Sequence, residues 1–271
     1  MEERTRRTIP HSRRAQVEAF ERLLDILDEL REKCPWDSKQ TNQSLRPNTI
    51  EEVYELSDAL LSEDNEEICK ELGEVLLHVI FYAKIGSEKG AFDIKEVCDK
   101  LCDKLIFRHP HIFSNKEVES AEEVANNWEE LKLKEKGGNK RVLSGVPTSL
   151  PSLIKAFRIQ EKARNIGFDW EQREDVFNKV KEEYYEFKEE LIKDSNAEHI
   201  EDEFGDLLFS LVNVGRLYNI DPDTALEKTN KRFIRRFNFM EDHTLKEGID
   251  LKDLSFNEKN KIWDQAKKEG L

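Results

Sequence analysis

Apolar residues return every three to four positions along most of this chain, which is the spacing of helices with one buried face. Phe20, Leu23, Leu24, Leu27 and Leu30 mark the first, between Gln16 and Lys33, and a break follows at Cys34-Pro35-Trp36-Asp37. A second helix is predicted from a cap near Thr49 to about Ser62, and a third from Asn65 to Glu88, with an apolar centre from Val75 to Ala83. Asp93 and Glu96 form a capping box for a fourth, which ends near Arg108, before His109-Pro110-His111; a fifth carries Trp128. Lys136-Gly137-Gly138-Asn139, running on through Ser144-Gly145-Val146-Pro147, has turn formers and no periodicity and reads as a linker. Beyond it the spacing predicts helices at about 150–166, 174–194, 197–218, 223–247 and 256–269, the last opened by Ser255 and Glu258.

The second run of helices repeats the first. Glu51-Glu52-Val53-Tyr54-Glu55 matches Glu182-Glu183-Tyr184-Tyr185-Glu186, and Glu71-Leu72-Gly73-Glu74 matches Glu203-Phe204-Gly205-Asp206. Trp128 with Lys132 matches Trp263 with Lys267, and Pro35-Trp36-Asp37 has an echo in Phe168-Asp169-Trp170. The members of each pair are separated by nearly the same stretch, about half the chain, which means tandem domains rather than a solenoid. The expected organisation is a flexible tail over 1–15, a first domain over 16–135, a linker over 136–148 and a second domain over 149–271. The fold class expected is all-α.

Composition narrows the function. The 271 residues carry 44 Lys and Arg against 58 Asp and Glu, a net charge of -14 that disfavours binding to nucleic acid. An anionic small molecule is compatible with that charge when metal ions mediate. Cys34, Cys69, Cys98 and Cys102 form no zinc pattern. The Arg-rich start lacks the apolar stretch of a signal peptide, and no run approaches the ~18 apolar residues of a membrane span. A cytoplasmic protein is expected.

Candidate chemistry lies in the repeated acids. Glu183 and Glu186 are three apart on one helix, and Glu203 and Asp206 repeat that spacing on the next, so two neighbouring helices can aim four carboxylates at one volume. Cations would relieve their repulsion, and an all-oxygen set suits Mg²⁺ or Mn²⁺. In a chain that is 38% charged, the same strings also describe solvated helix faces. The residues alone leave both readings open.

The pattern E-E-x-x-E followed by E-x-x-D resembles the MazG-like all-α nucleotide pyrophosphohydrolases. Cys34-Pro35-Trp36-Asp37, Arg108-His109-Pro110-His111, Gly167-Phe168-Asp169-Trp170 and Arg235-Arg236-Phe237 extend the resemblance to the two-domain form, over roughly residues 17–270. It implies hydrolysis of nucleoside triphosphates to monophosphate and pyrophosphate with Mg²⁺, for house-cleaning or control of the nucleotide pool. It also implies four-helix-type cores completed in a homodimer.

Carried over residue by residue, Glu183, Glu186, Glu203 and Asp206 resemble the metal ligands, and Glu182 the group that orients or deprotonates the attacking water. Asn230, Arg232, Arg235 and Arg236 would hold the triphosphate, although Arg232 stands where the family has Lys. Trp263 and Lys267 complete the expected substrate contacts. The first copy offers a second metal set, Glu52, Glu55, Glu71 and Glu74, and a second substrate set, Lys104, Arg108, Trp128 and Lys132. Glu74 replaces the family's Asp, and one extra methylene displaces a ligand in a cage with strict geometry. The second copy is therefore expected to be the principal site. Two other classes compete. A redox di-iron or di-manganese bundle needs Glu-x-x-His, and no His follows these glutamates at that spacing. A non-catalytic, nucleotide-binding regulatory protein would have no need of the acidic sets.

Overall fold

The computed structural model describes residues 12–114, 141–193 and 196–271, which form two compact units, 12–114 and 141–271. Among the described residues there is no strand, so the all-α expectation holds. The predicted linker falls partly outside them, over 136–140, as does the helix expected around Trp128.

The first unit contains α1 (Arg13–Lys33), α2 (Asn42–Ser62), α3 (Asn65–Glu88), α4 (Ile94–Arg108) and a single turn, α5 (Pro110–Phe113). Helix α2 begins nearly two turns before Thr49. Thr41 and Ser44 form a reciprocal capping box, and Pro47 is accommodated in the second turn. Thr49 is an interior residue, its hydroxyl bonded to the Leu45 carbonyl at 3.0 Å. Helices α2 and α3 are joined through Glu63, in the left-handed region (φ 57°), and Asp64, which caps α3, so they pair as a hairpin. Leu27 of α1, Leu45 of α2 and Ile80, Phe81 and Ile85 of α3 form the buried core.

The second unit contains α6 (Ser152–Arg164), α7 (Val176–Ile192), α8 (Ala197–Leu217), α9 (Pro222–Lys246) and α10 (Phe256–Lys268), opened by the predicted Ser255–Glu258 capping box. Helices α7 and α8 pair as α2 and α3 do, with α6 against α8 and α9 against α10. Its interior is more polar: Gln160, Glu183, Ser210, Arg216 and Thr244 are buried beside Val176, Val212, Met240 and Ala266.

Helices α3 and α8 start in the same register, since their N-caps, Asp64 and Asn196, each stand seven positions before the first acid of the repeated motif, Glu71 and Glu203. They end in the same reversal, in which the Ala91 N–H bonds the Gly86 carbonyl (3.0 Å) and the Ile220 N–H bonds the Gly215 carbonyl (2.8 Å). Gly90 and Asn219 supply its left-handed residue, with φ of 64° and 57°. Counted from the caps, the reversal comes three positions earlier in α8, which is therefore about one turn shorter. A Cβ on Gly86 would lie 2.8 Å from the Phe92 carbonyl oxygen, which excludes larger residues there.

Candidate functional site

Each helix hairpin gathers carboxylates. One oxygen from each of Glu52, Glu55 and Glu71 lies within 4.8 Å of the others, and the same is true of Glu183, Glu203 and Asp206. The triads are not equivalent. The first uses Glu55 and leaves out Glu74; the second uses Asp206 and leaves out Glu186. The omitted acids are still felt. Burial pushes the Glu52 carboxyl up from its ordinary range, with Glu55, Glu74 and Glu71 adding to the effect. Burial and then Glu186, Asp206 and Glu183 push up Glu203.

The innermost acid of each triad carries a lysine. Lys70 lies 2.8 Å from Glu71 Oε1. Lys179 bridges Glu183 and Glu182, 2.7 Å from each. Carboxylate hydrogen bonds raise both ammonium groups above their usual range. Glu71 is only 3% exposed and its Oε2 has no partner among the described residues. A buried carboxylate oxygen left in this way is suited to a cation. With donor sets made only of carboxylates, both triads fit a hard divalent ion.

Behind the first triad, the Thr49 hydroxyl contacts His78 Nδ1 at 3.0 Å and the Tyr82 hydroxyl at 2.6 Å, and burial lowers the His78 pKa. Val180, Ser210 and Val214 stand at the corresponding places of the second copy. Ten positions beyond Asp206 on α8, Arg216 grips Asp169 with both terminal nitrogens, one at 2.9 Å to Oδ2, while its Nε and Nη2 donate to Asn213 Oδ1. Burial pushes the Asp169 carboxyl up, but Arg216 and the Trp170 N–H outweigh it and hold it below the usual range. Spacing did not reveal this pair. Its signal was a lone arginine closing the largely apolar stretch Leu207 to Gly215, which only Ser210 and Asn213 interrupt.

The remaining expected residues make the following contacts of their own. Glu182 is exposed, outside the triad, and paired with Lys179. Asn230 bonds Glu227 at 3.2 Å, Arg232 bonds Thr229 at 3.1 Å, and Arg235 is exposed. Arg236 lies over the Trp263 ring, 5.6 Å from its centroid, and donates to the Leu271 carbonyl. Trp263 also packs on Phe233, and Lys267 pairs with Asp264. In the first unit Lys104 is exposed and Arg108 half-buried; Trp128 and Lys132 lie outside the described residues.

Residues 40–113 and 171–239 match the model of the MazG nucleotide pyrophosphohydrolase domain. The chain belongs to the MazG family. Each matched segment spans one helix hairpin and its carboxylate triad. The chain is 43% identical, over 92% of its own length and 95% of the relative's, to a Thermotoga maritima protein named nucleoside triphosphate pyrophosphohydrolase/pyrophosphatase MazG. It is 36% identical to the Escherichia coli nucleoside triphosphate pyrophosphohydrolase, over 93% of this chain and 98% of that one. A crystal structure of a MazG-related protein from Thermotoga maritima matches at 28% identity, covering 41% of this chain and 97% of that one, with a TM-score of 0.37.

Proposed function

We propose that this MazG protein hydrolyses nucleoside triphosphates to the nucleoside monophosphate and pyrophosphate, using Mg²⁺ or Mn²⁺ held by its carboxylates. The observation that carries this reading is the convergence of a carboxylate triad in each of the two segments that match the family. Glu183, Glu186, Glu203 and Asp206 would hold the metal of the principal site, and Glu52, Glu55, Glu71 and Glu74 that of a second. Bound there, the ions would neutralise phosphate charge and acidify water. Glu182 orients the attacking water. Asn230, Arg232, Arg235 and Arg236 bind the triphosphate, with Trp263 and Lys267 toward the nucleoside; Lys104, Arg108, Trp128 and Lys132 do so in the first copy. The working domains are 16–135 and 149–271, joined by 136–148, and the protein acts in the cytoplasm.

Product analysis tests the reading. Incubation of mixed nucleoside triphosphates with Mg²⁺ is expected to give monophosphate and pyrophosphate, and EDTA to stop it. Diphosphate and orthophosphate as the main products would overturn the reading.

A further inference from the structure

The buried acid of the triad is a different one in each copy. It is Glu71, on α3, in the first and Glu183, on α7, in the second, whereas their counterparts Glu203 and Glu52 are half-buried. The lysine follows the buried acid. Lys70 stands one position before Glu71, and Lys179 one turn before Glu183. Neither lysine has a counterpart in the other copy: Asn48 occupies the place of Lys179, and Asp202 that of Lys70. The ammonium thus goes with the burial of the carboxylate and not with the repeat. A buried carboxylate without a counter-charge is costly, so each site has found one by a separate route.

The second partner of each lysine differs as well. Lys70 has Glu67 at 3.4 Å, outside the candidate site. Lys179 has Glu182, the candidate for orienting water, at 2.7 Å, the same distance as to Glu183. Glu183 also lies with Glu203 and Asp206 in the triad that fits a divalent ion. An ion on either oxygen of Glu183 would stand close enough to this ammonium for the two cations to repel strongly. Ammonium and ion therefore compete for Glu183. Once off Glu183, Lys179 keeps only an exposed i, i+3 pair with Glu182, which holds it weakly.

We propose that Lys179 is a positioning residue of the second site: it serves as the counter-ion of Glu183, gives way to the divalent ion, and in leaving releases Glu182 to the attacking water. This rests on the pyrophosphohydrolase reading above. Lys179 then sets how much metal the site needs, since the apparent affinity is the intrinsic one reduced by the fraction of molecules in which the ammonium has left. Asn48 gives Glu51, the counterpart of Glu182, no such link to the first triad. Metal occupancy and the water-orienting acid are coupled in the second copy alone.

The test is calorimetric titration with Mn²⁺ alone, in full-length protein carrying Glu71→Ala so that the second triad supplies the binding. Lys179→Met and Lys179→Gln should each lower the Kd about tenfold, and Lys179→Arg should leave it within about twofold. Lys181→Met removes the same charge from an exposed lysine two positions on, and it too should stay within about twofold, because an exposed charge is screened. Acylation by an activated acetate ester, read by mass spectrometry, reports release directly and needs no substitution at Lys179: the amine reacts only when free of both acids. Saturating Mn²⁺ should quicken acylation of Lys179 severalfold and leave Lys181 unchanged. A Kd unchanged or raised in the folded neutral variants, an equal fall in Lys181→Met, or acylation indifferent to Mn²⁺ overturns the proposal. Absence of Mn²⁺ binding from every form overturns it together with the metal requirement of the pyrophosphohydrolase reading. The expected binding pattern without cleavage of any triphosphate overturns that reading and leaves the exchange at Glu183 standing.

Discussion

Glu71 and Glu203 occupy equivalent places in the two copies, yet their neighbours differ: Glu71 pairs with Lys70 and shares its triad with Glu55, whereas Glu203 faces Asp206. The second triad includes Asp206, whereas Glu74 stands outside the first, so the second is expected to carry most of the turnover. Glu203→Ala should therefore lower kcat/KM by about 100-fold or more, while Glu71→Ala keeps most of the activity; circular dichroism must show both folded. The reverse ranking would move the principal site to the first copy. Acid titration gives a second check at this scale. The raised pKa of Glu203 means that the folded protein binds its proton more readily than the unfolded chain does. In metal-free protein this group therefore lowers stability as pH rises from the ordinary carboxylate range through the raised value. Glu203→Gln should flatten that part of the Tm profile. The lowered carboxyls of Glu88 and Asp169 act with opposite sign and at lower pH, while the raised Glu52 and Asp223 keep their share of this window, so the flattening is partial.

At the scale of elements, the loop between α6 and α7 is anchored to α8 by the Asp169–Arg216 pair. Removing one partner of a buried ion pair strands the other, so Arg216→Met should cost about 3 kcal/mol, at the low end for such pairs because Asp169 keeps some solvent. Chemical unfolding measures that loss, and a red shift of Trp170 fluorescence would report the freed loop. The helices themselves were legible in the sequence because their apolar spacing is long and regular. The start of α2 was not, since Pro47 reads as a boundary while the cap that decides the matter, Thr41 with Ser44, stands outside the apolar run. The acids of the site were legible for the same reason as the helices: i, i+3 spacing is a property of one element. Lys179 across two acids, Arg216 on Asp169 and Gln160 on Phe209 depend on rotamers or on packing between elements, which spacing does not encode.

At the largest scale, one helix face in each unit is left exposed among the described residues. Leu72, Leu76 and Val79 on α3, and their equivalents Phe204, Leu208 and Leu211 on α8, are 37–53% exposed, whereas Phe81 and Val212 are buried within their own units. Apolar stripes that continue from the core to the surface ask for a partner, and we propose that a second copy of the chain provides it. Sedimentation should give a mass at least twice the 31.9 kDa of one chain, and Leu76→Lys with Leu208→Lys should bring it down to a single chain. A single-chain mass for the unaltered protein would contradict this.

The missing turn of α8 has a practical consequence for anyone grafting one half onto the other. From their caps to the acids, α3 and α8 keep a constant register. A segment carrying Glu71 and Glu74 can thus be exchanged for one carrying Glu203 and Asp206 without insertion or deletion. Any graft that crosses the reversal has to lose or gain three positions, because Gly215 comes that much sooner after its cap than Gly86 does. A chimaera spliced by constant numbering through that point would rotate everything downstream by most of a turn, and its failure would report the splice rather than the chemistry.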